Sequence, residues 1–400
     1  TTQIKDLFGN PLSSRSFAFT TSFDKDAAGP RLLGFSIHEG QTVPINGQLQ
    51  IQFDEAISGL MLHGVVLRKG RDEVALTREL SADRKTLSLK PLQPLSANAS
   101  YRIDVEGVRD LSGNVLATAE MRHFMTGSQA DVSPSTIVQY SPSDNAVGVA
   151  TNGLIEIAFA DALNPLTVNA QSVRLYDDQL WQLQDVVLNL STDGKRLTVK
   201  PIQPLAANRH YWLTLSNQAR IYDLVGNAIK LLKVGFMTGA DADLEGPRVS
   251  MQNLEDGISG VAVNSRLNFT FDEPFSPFSV VSSVLTSQGI EVPGSLSMAA
   301  DYRSLSFKPD NALNVDTDYR ITLTGLYDAA GNAMTPVNSG FRTASTSQWD
   351  VTKPNFNLSP AFAAQNISVD TPIRFTFDEA IDVSSLEEGI TIKASGFKGE

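Results

Sequence analysis

The sequence predicts an all-β chain of tandem seven-strand antiparallel β-sandwiches arranged as an elongated rod. Three observations predict it. The string D-x-x-G-N occurs four times, at Asp6–Asn10, Asp110–Asn114, Asp223–Asn227 and Asp328–Asn332, so the chain repeats itself about every 105 to 113 residues. Self-similarity at a domain-sized period means one fold copied in tandem. Tyr101-Arg102-Ile103-Asp104-Val105 alternates apolar and charged residues, and Tyr211–Leu215 and Tyr319–Leu323 repeat it. That alternation marks a half-buried antiparallel strand. At the positions that the copies share, no comparable helical periodicity stands out.

Within the first whole copy, Leu49–Phe53, Leu87–Leu89, Tyr101–Val105 and Arg122–Met125 are short, β-rich and bounded by Gly, Pro, Asn and Asp, which reads as strands. Other landmarks keep the same step. Q-F-D-E-A-I around Phe53 returns at Phe159, Phe271 and Phe377, and F-T-T at Phe19 is answered at Phe124, Phe236 and Phe341. The period cuts the chain into repeats at 28–127, 132–239 and 245–344, the second of them longer. The end of a repeat is expected at 1–22 and the beginning of another at 351–400, as in a window on a longer array.

Before each Tyr-led strand runs P-L-x-A-N-x-x-Y or its variant, ending at Tyr101, Tyr211 and Tyr319, with a Leu six residues ahead of the ring. A Tyr that opens the sixth strand after such a turn looks like the tyrosine corner of immunoglobulin-type sandwiches, whose hydroxyl bonds back to the backbone. The opening Pro134 to Val149 with Ser141-Pro142, then F-D-E-A-I, L-x-x-K-P, P-L-x-A-N-x-x-Y, D-x-x-G-N and F-x-T-G, follow in fixed order. Together they resemble the bacterial immunoglobulin-like repeat of S-layer proteins and large surface adhesins. The resemblance implies tandem immunoglobulin-like sandwiches, a non-catalytic structural spacer, and an extracellular or cell-surface location. One departure stands out: Phe159 is followed by Ala160-Asp161 where the sister copies carry Asp-Glu.

Composition agrees. Hydrophobic residues are 42% and charged residues 19%, ordinary for folded domains, and no apolar run is long enough to span a bilayer, so no membrane insertion is expected of this segment. The net charge of -12 opposes attraction to a phosphate backbone, which makes nucleic acid an unsuited partner. The absence of cysteine excludes disulfides and thiolate metal sites.

The linkers between copies are short, acidic and closed by Pro30, Pro134, Pro247 and Pro354, which favours a semi-rigid string. In a seven-strand sandwich the loops after the second and sixth strands meet the incoming linker. That topology gathers Asp54, Glu55 and Asp110 toward Asp24 and Asp26, and Asp272, Glu273 and Asp328 toward Asp241, Asp243 and Glu245. Oxygen-rich clusters suit calcium, with its six to eight hard ligands. The competing reading is that the Asp of D-x-x-G-N caps its own turn, Gly supplies a positive φ, and the Asp-Glu pair is solvated. With only Asp131, Asp161 and Asp223, the middle junction is the weakest candidate. No cofactor is required by either reading.

Catalytic constellations fail against the repeat. His38, His63, His123 and His210 are scattered, and none belongs to H-E-x-x-H or stands beside G-x-S-x-G. Asp54 and Glu55 are sequence neighbours and do not form the facing carboxylate pair of glycosidases. One non-repeated feature remains. Trp212 is expected to face out of its sheet where sister copies carry Arg102 and Arg320, with Trp181 in the same copy. Exposed indoles stack on sugars or anchor protein contacts, or else cover a neighbouring loop. The partners expected are therefore the neighbouring repeats of the same chain, with a surface glycan or host protein as the alternative. A third reading makes the repeats accessories of a secreted enzyme.

Overall fold

A computed structural model of the chain describes residues 4–381 except 14, 15, 17, 19, 21–24, 61, 348, 350, 369, 379 and 380. Phe19 and the candidate ligand Asp24 lie outside the described residues. The chain falls into two compact units, one of Thr1–Ser133 with Leu224–Gly226 and one of Pro134–Asp223 with Asn227–Glu400. The first holds repeat one, and the second holds repeat three and all of repeat two but Leu224–Gly226.

Each repeat is a sandwich of a four-stranded and a five-stranded sheet. Repeat one contributes β1 (Leu32–Phe35), β2 (Gln41–Val43), β3 (Leu49–Phe53), β4 (Val65–Lys69), β5 (Asp72–Glu73), β6 (Leu76–Leu80), β7 (Thr86–Pro91), β8 (Ser100–Val105) and β9 (Glu120–Thr126). They order as β1-β3-β7-β6 and β2-β9-β8-β4-β5. Repeat two follows the same plan with β10 (Ile137–Ser141), β11 (Ala146–Val149), β12 (Ile155–Phe159), β13 (Val173–Asp177), β14 (Leu183–Gln184), β15 (Val186–Leu190), β16 (Arg196–Pro201), β17 (His210–Leu215) and β18 (Leu232–Thr238). Repeat three does so with β19 (Val249–Gln252), β20 (Ile258–Val261), β21 (Leu267–Phe271), β22 (Ser282–Ser287), β23 (Ile290–Val292), β24 (Gly294–Met298), β25 (Ser304–Pro309), β26 (Asp318–Thr324) and β27 (Val337–Thr343). In the trailing fragment β28 (Phe356–Ser359) pairs antiparallel with β29 (Arg374–Phe377).

The expected two-sheet sandwich gains two short strands per repeat. After β1 the chain crosses to the other sheet, and β2 then runs parallel to β9, the final strand of the repeat. The same parallel pairing joins β11 to β18 and β20 to β27. These edges are only three or four residues long, which leaves little template for pairing with another chain.

The alternation read from the sequence sets the core. Leu49, Ile51 and Phe53 of β3 point inward, as do Tyr101, Ile103 and Val105 of β8. Repeat two buries Ile155, Ile157, Phe159, Leu175, Leu213 and Phe236 in one cluster, and repeat three buries the corresponding Leu267, Phe269, Phe271, Leu285, Ile321 and Phe341. Each repeat thus closes its own apolar interior.

The corner is built identically three times. The hydroxyl of Tyr101 accepts from the Ser96 amide at 2.8 Å, that of Tyr211 from Ala206 at 2.9 Å, and that of Tyr319 from Asn314 at 2.8 Å. Each ring stacks on the Phe of the last strand, Tyr101 on Phe124, Tyr211 on Phe236 and Tyr319 on Phe341. The Thr two residues after that Phe completes the tie. Thr126, Thr238 and Thr343 donate to the carbonyls of Ser96, Ala206 and Asn314 at 2.6, 2.7 and 2.6 Å. Burying an amide without its acceptor costs about 1–3 kcal/mol, so Tyr211→Phe is expected to destabilise repeat two by that order. Two of the three tryptophans, Trp181 and Trp212, lie in repeat two, so the indole signal in a guanidinium titration reports it. An unchanged midpoint would deny the hydroxyl its structural part.

Candidate functional site: two acidic clusters and an aromatic face

The D-x-x-G-N turns are closed by their own side chains. Asp110 accepts from the Asn114 amide at 2.9 Å and from its side-chain Nδ2 at 2.8 Å, and Asp223 and Asp328 hold Asn227 and Asn332 in the same two ways. Gly113, Gly226 and Gly331 sit at φ of +92°, +91° and +89°, where only glycine is unstrained. The capping reading therefore holds at every turn of the three whole repeats.

The same Asn draws in the linker. Asn114 Nδ2 donates to the Asp26 carbonyl at 3.3 Å, and Asn332 Nδ2 donates to the carbonyls of Asp243 and Glu245 at 3.0 and 3.3 Å. Gly29 and Gly246 lie flat against the turn: a Cβ there would stand 2.1 Å from the Val115 carbonyl oxygen and 2.4 Å from that of Ala333. The linker acids are pressed onto the sandwich by backbone fit.

Two groups of three carboxylates result. Asp26, Glu55 and Asp110 bring ligand oxygens within 4.8 Å of one another in repeat one, and Asp243, Glu273 and Asp328 do so in repeat three. The other described acids singled out in the sequence belong to neither group. Asp54 and Asp272 instead accept from the amides of Arg31 and Arg248 at 2.7 and 2.8 Å, fixing the residue that follows each Gly-Pro. Asp241 lies outside the group, and its backbone carbonyl receives the Thr151 amide at 3.0 Å. Asp131, Asp161 and Asp223 belong to neither group; the middle copy has Asp161 where its sisters carry the longer Glu.

Electrostatic strain concentrates on the glutamates. Burial, then the charges of Asp243, Asp328 and Asp272, pushes the Glu273 carboxyl up to about 7. Burial and the neighbouring Asp26, Asp110 and Asp54 raise Glu55 as well. Asp110 goes the other way: burial opposes ionisation, but the hydrogen bonds from Asn114 outweigh it and hold the group below its ordinary value. Three hard carboxylates on one spot have the donor chemistry of a calcium site, and bidentate binding by some would approach the six to eight oxygens calcium takes.

The aromatic face is narrower than the sequence suggests. Trp212 does point out of its sheet between buried Tyr211 and Leu213. Lys233 Nζ lies 3.7 Å from its ring centroid, however, and His210 packs edge-on at 4.8 Å. Trp181 is 76% exposed and stacks on Tyr176, in a turn whose amides at Gln179 and Leu180 donate to Asp177. Sequence reasoning missed Asn114 and Asn332 as linker tethers, although their place in every repeated turn was in view.

Three sandwiches with one corner design define a tandem array of immunoglobulin-like domains. The chain belongs to the family described as the bacterial Ig-like domain, which matches residues 26–126, 131–238 and 243–343. Among curated proteins, an S-layer protein of Geobacillus stearothermophilus is 24% identical over 346 residues, covering 78% of this chain. This chain spans 28% of the length of that relative. Among solved structures, domains 1–6 of the surface layer protein SbsC align over 83% of this chain and 56% of theirs, at 10% identity and a TM-score of 0.22. CopC from Methylosinus trichosporium OB3b aligns over 28% of this chain and 98% of its own, at 21% identity and a TM-score of 0.23. Among the described residues, no helix is long and apolar enough to cross a membrane.

The raised Glu273 makes stability depend on pH. An ordinary glutamate here would titrate at 4.5, so between 4.5 and about 7 the folded chain holds a proton that the unfolded chain releases. Its contribution is whole below the lower value and is lost as pH rises through the upper one. In a chelator-containing buffer, the melting temperature of repeat three is expected to fall as pH rises across this window. Glu273→Gln should flatten that slope; equal slopes in parent and variant would contradict the assignment.

Proposed function

We propose that this chain is a non-catalytic spacer of an exported bacterial surface protein, an adhesin or S-layer-associated protein, that projects other domains from the cell. The observation that carries the reading is that the residues recurring in every copy are the ones that close a sandwich: the Tyr hydroxyl, the stacked Phe, the bridging Thr and the capped D-x-x-G-N turn. A spacer asks each unit to hold itself shut and to fix where the chain leaves. Antiparallel ladders and a hydrogen-bonded corner do the first, and the Gly-Pro linkers pressed on Asn114 and Asn332 do the second. The kinship with an S-layer protein supports placement at the cell surface.

Stretching the chain between two handles in a force experiment should give three separate unfolding steps. Each should release roughly 33–36 nm, from about 3.3–3.6 Å per residue over a domain of about 100 residues. A single merged event would remove the independent-brick basis of the proposal.

Calcium at the two clusters belongs to the same reading, because each cluster joins one linker acid to two acids of the sandwich it leads into. A bound ion would relieve the repulsion around Glu273 and stiffen that joint. Calorimetric titration of calcium into the whole chain is expected to give heat and a higher melting temperature, reduced in Glu273→Gln. Neither heat nor shift would eliminate the ion from this account. The rival in which repeat two binds a glycan or host protein retains Trp181 alone, since Lys233 and His210 cover Trp212.

A further inference from the structure

Glu156 is the second residue of β12, flanked by inward-facing Ile155 and Ile157, so alternation places it on the outer face of its sheet. The equivalent positions of the other copies hold Gln50, Asn268 and Arg374. Gln50 and Asn268 are half-buried, as an outward position should be, whereas Glu156 is only 4% exposed. A carboxylate is rarely buried without partners. Its partners come from repeat three.

Ser276 Oγ donates to one Glu156 oxygen at 2.8 Å and Tyr327 Oη donates to the other at 2.9 Å. Arg196, from the neighbouring strand β16, donates through Nη1 to the Phe278 carbonyl at 2.7 Å and approaches Tyr327 Oη at 3.4 Å. Two more hydrogen bonds flank the group. Gln139 Nε2 donates to Tyr302 Oη at 3.1 Å, and the Leu154 amide donates to the Ala329 carbonyl at 2.8 Å. The repeat-three side is itself fixed, because the Ser276 amide donates to the Tyr327 carbonyl at 2.6 Å and the Tyr327 amide to Ser279 Oγ at 3.1 Å.

On the repeat-two side the residues involved do not recur. Glu156 and Arg196 give way to Gln50 and Thr86 in repeat one and to Asn268 and Ser304 in repeat three, whereas on the repeat-three side Ser276 has a counterpart in Ser58 and Tyr327 in Tyr222. Residues that a fold needs repeat with the fold, and Glu156 and Arg196 serve one junction.

We propose that the outer face of the four-stranded sheet of repeat two is a dedicated docking surface for the end of repeat three, latched by Glu156 and Arg196 against Ser276 and Tyr327. The two repeats then hold one mutual orientation, and a copy led by Gln50 or Asn268 could not replace repeat two at this joint. The function above asks each unit to close and to fix where its linker leaves, and it does not require a face-to-face contact between repeats two and three, so this inference is separate from it.

Hydrogen exchange on the full chain, followed by mass spectrometry, tests it. In the parent chain the segments around Leu154 and Ser276 should exchange slowly. Glu156→Ala and Tyr327→Phe should each speed those segments about tenfold or more, the loss expected when a buried hydrogen-bonding partner is removed, while the core strands β17 and β26 keep their rates. The double variant should exceed the faster single variant only slightly, because both changes open one latch. Rapid exchange of these segments in the parent, unchanged rates in both single variants, or fully multiplicative effects in the double variant would overturn the proposal.

Discussion

The hydrogen bond from a backbone amide to a buried tyrosine hydroxyl is the constraint on which the rest of each repeat depends. The ring belongs to the five-stranded sheet, through β8, β17 or β26, while the amide belongs to the crossover that arrives from the four-stranded sheet through β7, β16 or β25. One oxygen therefore ties the two layers where the backbone must leave its ladder and would otherwise bury an unpaired donor. Thr126, Thr238 and Thr343 secure the same crossover from the last strand, donating to one carbonyl and accepting an amide three residues further on. Hydrophobic burial drives the sheets together without direction, and the corner selects how they meet.

With the corner set, the D-x-x-G-N turn lies at the pole where the linker arrives, and the chemistry of the junction follows. Asn114 and Asn332 use one side chain to close their turn and to hold the linker backbone, and Gly29 and Gly246 let the two backbones touch. The consequence is unfavourable electrostatics, since the linker acid is delivered onto two acids that the fold already places there. A proton relieves that charge, in keeping with the raised Glu273 carboxyl. Repeat two, with Ala160-Asp161 in place of Asp-Glu, lacks the side chain on which that tension falls in its sisters.

Most of the sandwich was legible because its signals are local and recur. Tyr-led alternation, a Leu six residues ahead of the ring and D-x-x-G-N each name a backbone geometry, and three copies turn a weak motif into a register. The two added strands were not legible: β5 is two residues long, and β2 is defined by pairing with a strand about eighty residues away rather than by any pattern of its own. In the candidate site, the union of Asp26, Glu55 and Asp110 follows from topology alone. Which acids drop out depends on hydrogen bonds of single side chains, as when Asp54 turns to the Arg31 amide. The outward aim of Trp212 was likewise legible from alternation, while the cover supplied by Lys233 was not, because it comes from the next strand.

Glu156 marks the limit of pattern reading and also explains it. Alternation says which face of a sheet a residue occupies, but not whether another domain lies on that face, so an outward Glu reads as solvated until the structure shows it buried. Burying a carboxyl group is tolerable only when hydrogen bonds replace water, and here a serine and a tyrosine hydroxyl from another repeat supply them. Either repeat alone would leave this chemistry incomplete. Recurrent residues in this chain therefore specify the bricks, and the departures Glu156 and Arg196 in repeat two fit it to the repeat that follows.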